Sequence, residues 1–163
     1  FLAIAVSDLG SMSERRTDRM LDKNRSHGLA PFLADDPGVD SGLMIAQYTQ
    51  AAMVSENKRL AVPASADSIP SSAMQEDHVS MGWNAARKLR KAIDNLCMIL
   101  SIEYLASARG IELRAPLEPS PITKQAVALL RARIDGPGPD RFLAPDMQAA
   151  CDIVASGAVA KLL

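Results

Sequence analysis

An excess of charge of one sign is missing from this sequence. Its 18 Lys and Arg stand against 19 Asp and Glu, a formal net charge of −1, so no global field draws it to nucleic acid or to an anionic membrane. Cysteine is almost absent. Cys97 and Cys151 are the only two, far apart and in none of the short spacings that metal or redox centres use, which makes both reduced, half-buried core residues. No apolar run approaches the roughly 20 residues needed to cross a bilayer. The opening "FLAIAVSDLG" has no basic region before it and no small-residue cleavage site after it, so the expected setting is cytoplasmic, with no membrane partner. Alternating strand patterns, internal repeats and phosphate-cradling glycine patterns are lacking as well; "DGPGPD" (135–140) reads as a turn.

What remains is helical. The 163 residues are 48% apolar, enough to bury a core, and the expected organisation is one helical segment over 1–163. Leu2, Ala5, Val6, Leu9, Met12, Arg16 and Met20 recur with a period near 3.6, predicting a first helix to about Leu21. This pattern is already running at Phe1, with no initiator Met, as in a piece of a longer polypeptide. A loop of about 20 residues follows. Asp40 or Ser41 then offers an N-cap for a second helix ending near Leu60. The longest pattern spans about Val79 to Arg109. Its expected core stripe is Ala86, Leu89, Ile93, Leu96, Leu100 and Leu105, widened by Trp83, Cys97 and Ile99. At 1.5 Å per residue that helix is about 46 Å long, more than the roughly 40 Å diameter of a compact domain of this size. The predicted fold class is therefore all-α, an elongated bundle around one very long central helix. Ser120 and Pro121 open a fourth helix, and a last one begins near Pro145. The charges of "SMSERRTDR" (11–19) are expected to pair within the first helix, and the basic residues of "ARKLRK" (86–91) to form a wet face.

Three ionisable side chains stand together in "SSAMQEDHVSMG" (71–82): Glu76, Asp77 and His78. Consecutive residues point in different directions, and the only other histidine is His27, so no metal site is expected. By charge and spacing alone the run reads as the polar start of the long helix, with acidic groups facing its positive end.

A resemblance changes that reading. Taken together, "SMSERR", "DPGVDSGLMIAQYTQAAMVSENK", "PASADSIPSSAMQEDHVSMG" and the helix after them resemble the aromatic amino-acid lyase family, over residues 1 to about 110 in the same order and spacing. "QEDH" is similar to the members acting on histidine; the phenylalanine and tyrosine lyases generally lack the Glu-Asp-His run. The resemblance implies the C-terminal third of a homotetrameric enzyme whose long helices form a central bundle. It also implies the reaction, elimination of ammonia from L-histidine to give urocanate. The electrophile would be 4-methylidene-imidazol-5-one (MIO), cyclised from an Ala-Ser-Gly in the N-terminal part of the polypeptide. Carried over, Glu76 matches the active-site glutamate near the substrate amine, Met44 a residue lining the substrate pocket, and Gln75 an amide close to the electrophile. Asp77 would make Glu76 a better base if the two met in a dry site. His78 ties the loop to a helix.

Ala155-Ser156-Gly157 is the only Ala-Ser-Gly here. It ends a helical pattern instead of preceding the Asp-Leu-x-Pro that follows the family's triad, so no cofactor is expected in this segment, and the chain alone is expected to be inactive. Two other functions fit the same residues: a non-catalytic helical oligomerisation module, and a tyrosine or phenylalanine ammonia-lyase or aminomutase of the same family.

Overall fold

Three long helices carry the fold. A computed structural model describes all of residues 1–163, with α1 (Leu2–Leu21), α2 (Met44–Leu60), α3 (Gly82–Glu112), α4 (Pro121–Arg131) and α5 (Ala144–Ala155), plus short 3-10 turns at Pro31–Leu33, Ala64–Ala66 and Ala160–Leu162. The all-α class is as expected. α3, with 31 residues, is about 46 Å long, and α1, α2 and α5 pack along it. No helix is long and apolar enough to cross a membrane.

The helices form where the apolar period runs, but the faces they bury differ from the expected ones. On α1 the buried residues are Ser7, Gly10, Ser13, Glu14, Thr17 and Leu21, while Leu2, Leu9 and Met12 of the apolar pattern are exposed. On α3 the inward face includes Ala92, Asn95, Ile99, Ile102, Leu105 and Ala106. Of the expected stripe, Ile99 and Leu105 are buried and Leu89, Leu96, Cys97 and Leu100 half-buried, whereas Trp83, Ala86 and Ile93 face solvent.

Hydrogen bonding explains the inversion. The small side chains on α1 let the helices approach closely: an ideal Cβ on Gly10 would sit 3.3 Å from Ile99 Cδ1. Buried polar groups then reach across. Gln50 Nε2 donates to Ile99 O at 2.9 Å, Asn57 Nδ2 to Ala92 O at 3.2 Å, and Asn95 Nδ2 to Asn57 Oδ1 at 2.9 Å. Each such bond nets about 1 kcal/mol, and losing one partner costs more because the other is left dry. Ser13 Oγ donates to Glu103 Oε2 at 2.6 Å and Arg16 Nη2 to the same oxygen at 2.9 Å. Arg16 thus pairs across to α3, while only Arg15 makes the expected contacts within α1, to Glu14 and Asp18.

Two apolar clusters complete the core. One joins Leu21, Leu33, Leu43, Ala46, Ile102 and Ala106; the other joins Leu105, Ala108, Leu130, Ile134, Ala150 and Ile153, seating α4 and α5 on α3. α4 begins as expected, with Ser120 Oγ accepting from Thr123 N and Pro121 in the first turn.

Candidate active site

The loop between α2 and α3 carries Gln75 and Glu76. Ser68 closes its base: Ser68 Oγ accepts from Val79 N at 2.9 Å and donates to Val79 O at 3.1 Å. Lys88 Nζ donates to Val62 O from the side of α3. Nearer the tip, Ser71 N donates to Glu76 O at 2.9 Å and Glu76 N to Ser71 O at 3.2 Å, with Gln75 N on Ser72 O at 3.0 Å. This tight turn forces Ser72, Ala73 and Met74 to φ values of +54, +52 and +71°. Left-handed backbone costs a non-glycine residue about 1–2 kcal/mol, so three in succession hold several kcal/mol of strain, which persists where surroundings over-determine it.

Within this chain those surroundings are thin. Every residue from 71 to 78 is exposed, so the Glu76 and Asp77 carboxylates do not meet in a dry site here. Neither are they the polar start of α3. That helix begins at Gly82, three residues beyond the expected start, with no acidic residue in its first turn and no side-chain cap at Met81. The carboxylates sit upstream on the turn and lie too far back to satisfy the helix's free N–H groups. His78 lines a depression of about 680 Å³ together with Phe1, Leu60, Pro63, Val79 and Leu89, on the flank of the loop and against the start of the chain.

Met44 is placed by a different mechanism. It is half-buried and opens α2, whose N-cap position is Leu43, with no side-chain cap, rather than Asp40 or Ser41. A carboxylate from the distant "DGPGPD" turn holds instead the two residues that lead up to the helix. Asp140 accepts from Ser41 N at 2.7 Å and Gly42 N at 2.8 Å, and its own N–H donates to Asp40 Oδ1 at 3.0 Å. Arg109, buried on α3, steadies that turn by donating to Gly138 O at 2.9 Å. Burial, then the nearby Arg141 charge, lowers the Arg109 guanidinium from its ordinary value, and Asp35 and Asp140 act in the opposite direction. Leu43 N donates to Phe32 O at 2.9 Å, and Gly42 takes a φ of +57° where a Cβ would strike Phe32 O at 2.5 Å. Met44 therefore sits at a junction of three chain segments. A carboxylate 100 residues away from Asp40 left no local signal for this arrangement.

The structure thus gathers Gln75 and Glu76 on one turn and puts Met44 at the other end of α2 from the point where that loop departs, about 25 Å away along the axis. Ala155-Ser156-Gly157 forms the end of α5: Ser156 Oγ donates to Ile153 O at 2.7 Å and Gly157 takes a φ of +69°. These are the contacts of a helix C-terminus.

Comparison with known proteins decides the kinship. The family model described as aromatic amino acid lyase matches residues 1–132. The chain belongs to the aromatic amino acid lyase family. Among lyase relatives, it is 71% identical over 160 residues to the histidine ammonia-lyase of Streptomyces avermitilis, covering 98% of this chain and 31% of that protein. The crystal structure of histidine ammonia-lyase from Trypanosoma cruzi superposes with a TM-score of 0.94 at 43% identity, over 98% of this chain and 31% of that one. A tyrosine aminomutase from Streptomyces globisporus superposes nearly as well, with a TM-score of 0.93 at 36% identity and the same coverage. The lyase fold is therefore shared across substrates, and this chain spans about a third of the length of the relatives it matches.

Proposed function

We propose that this chain is the C-terminal third of a cytoplasmic, homotetrameric histidine ammonia-lyase that eliminates ammonia from L-histidine to give urocanate. The observation that carries this reading is the 71% identity to a histidine ammonia-lyase across nearly the whole chain, against 36% for the aminomutase of almost equal structural likeness. Fold likeness does not separate the two substrates; the sequence distance favours histidine.

The chemistry asked of this segment is acid–base work at the substrate amine. At neutral pH the amino group is protonated and has no free lone pair. Glu76, as a carboxylate, accepts that proton and orients the amine, and it returns a proton as ammonia leaves. Gln75 offers its amide beside the reacting centre, and Met44, at the far end of α2 from that turn, would line the pocket of another subunit in the tetramer. The MIO group supplies the electrophile when present. It comes from another part of the polypeptide, because the only Ala-Ser-Gly here is spent on ending α5.

Two features support a role inside a larger assembly. The strained 72–74 turn stands without side-chain surroundings of its own. Large apolar side chains also face outward along the helices, among them Leu2, Leu9, Met12, Trp83 and Ile93, as expected of faces covered by other subunits or by the rest of the polypeptide. By this reading the isolated segment does not form urocanate.

The test is Glu76→Gln in the full-length tetrameric protein. The amide keeps the shape and cannot take the proton, so kcat should fall by about 10²–10⁴-fold, the usual worth of a positioned acid–base group. A folded, tetrameric variant with near-normal kcat refutes the assignment.

A further inference from the structure

The two thiols of the chain, which the proposed reaction does not use, meet where α5 packs on α3. Cys97 Sγ lies 3.2 Å from Cys151 Sγ and 3.6 Å from Cys151 O, and both cysteines are free and half-buried. The contact is not accidental crowding at a mobile edge. Leu105 and Ala108 of α3 pack against Ala150 and Ile153 of α5 in the second core cluster, so the helices that carry the two thiols are held in register by apolar side chains two to three turns along α3 and within one turn along α5. A disulfide bond is about 2.05 Å long, so the sulfurs need to close by roughly 1.2 Å, within the reach of small side-chain rotations.

We propose that Cys97 and Cys151 are a reversible oxidation site, forming a disulfide that staples α5 to α3 when the protein meets a peroxide. In the first step a thiol gives up its proton and the thiolate attacks a peroxide oxygen, giving a sulfenic acid and hydroxide, which takes up that proton and leaves as water. The second sulfur then attacks the sulfenic sulfur, forming the S–S bond and releasing the oxygen as a second water. Overall two thiols lose two protons and two electrons, and one hydrogen peroxide becomes two waters. A dithiol reductant reverses the change by thiol–disulfide exchange.

The bond would close a loop across 54 sequence positions. That loop contains all of α4 and the 135–140 turn whose Asp140 fixes the start of α2. Oxidation would therefore restrain the C-terminal part of the chain against local opening without touching Gln75 or Glu76. Reaction is slow at neutral pH, because burial, the neighbouring Cys151 thiol and the Asp94 and Asp152 carboxylates push Cys97 up to about 11. The pair stays reduced under ordinary conditions and responds to sustained exposure.

The test uses the full-length protein, reduced, then exposed to hydrogen peroxide, quenched with N-ethylmaleimide and digested without reductant. A linked peptide containing Cys97 and Cys151 is expected, lighter than the two separate peptides by two hydrogen atoms and split by dithiothreitol. In the oxidised protein, cleavage by thermolysin within residues 113–163 should slow several-fold, and that slowing should vanish in Cys97→Ser. Recovery of both cysteines as maleimide adducts, or as separate sulfinic or sulfonic acids with no linked peptide, overturns the proposal. Because the mapping is done on the unsubstituted protein, it stands whether or not the serine variant folds.

Discussion

Replacing Gly42 with alanine should loosen the start of α2 far more than the same change at another left-handed glycine. Gly42 has a φ of +57°, and a Cβ there would lie 2.5 Å from Phe32 O, 2.9 Å from Ala34 N and 3.0 Å from Ala34 Cα. All three are backbone atoms, so no side chain can swing away. The left-handed conformation itself costs alanine about 1–2 kcal/mol, and forcing the backbone apart adds about 1–3 kcal/mol. The local loss is thus about 2–5 kcal/mol. Gly28 provides the control, since its φ is +90° and nothing lies within 4 Å of an added Cβ, leaving only the conformational cost. Hydrogen exchange followed by mass spectrometry on peptides covering 31–47 reads this directly. The Leu43 amide is bonded to the same Phe32 carbonyl that the new methyl would strike, and it should exchange at least about 30-fold faster in Gly42→Ala. Equal effects of Gly42→Ala and Gly28→Ala, each at its own site, or unchanged exchange at 31–47, would refute the steric argument.

Other consequences can be checked on the same full-length protein. Met44→Ala should raise KM for histidine, with a tenfold fall in kcat/KM corresponding to about 1.4 kcal/mol; an unchanged KM beside a lowered Tm would make Met44 a packing residue only. Cys97 is held up to about 11 against an ordinary 9.0, so at pH 8 it should react with iodoacetamide about 100-fold more slowly than an unperturbed thiol, its rate climbing until the pH passes about 11. A labelling midpoint near pH 9 would show that the burial is not felt. Trp83→Asp changes an exposed side chain, 78% accessible in the chain, so it should cost this segment little by itself while shifting the assembled protein towards smaller species in light scattering. An unchanged particle size at submicromolar concentration would remove this face of α3 from the subunit contacts.

The helices were legible because their punctuation is local. Ser120 and Pro121 mark the start of α4, Gly157 marks the end of α5, and the 3.6 period runs through α1 and α3. Which face each helix buries was not told by the large apolar residues. A large apolar stripe normally points to the core, yet on α1 the residues turned inward are Ser7, Gly10, Ser13, Glu14, Thr17 and Leu21. The spacing of those small residues at three and four positions was the available signal for close helix approach. The start of α3 was missed because its N-cap position, Met81, carries no capping side chain, and the hydroxyl that accepts from Gly82 N comes from Ser80, one residue further upstream. For the candidate site, composition pointed Glu76 and Asp77 to a helix terminus, and only likeness to the lyase family singled out Glu76. The turn that displays it is built by Ser72, Ala73 and Met74 in left-handed conformations, and nothing in that residue triplet announces such a turn, because glycine or asparagine is the usual signal. The Asp40–Asp140 exchange and the Cys97–Cys151 contact join positions 100 and 54 residues apart, beyond the reach of any local pattern.

Polar residues inside and large apolar residues outside amount to a division of labour between two levels of structure. The inner contacts of α1, α2 and α3 rest on hydrogen bonds such as Gln50 to Ile99 O and Asn57 to Ala92 O, each netting about 1 kcal/mol but tolerating only one register. The outer residues, Leu9, Met12, Trp83 and Ile93 among them, would each contribute about 1.5–3 kcal/mol on full burial. Per residue, assembly thus holds in reserve for these outer side chains about what Leu33, Ile102 and Ile153 already gain inside the segment. The 72–74 turn belongs to the same reserve, since its strain of several kcal/mol exceeds what its exposed side chains can offset locally. If assembly supplies that offset, the geometry of Glu76 and the burial of the outer helix faces are thermodynamically linked. A substitution on the outer face that weakens association should then also raise hydrogen exchange at residues 71–79, even where the substituted residue does not touch the turn.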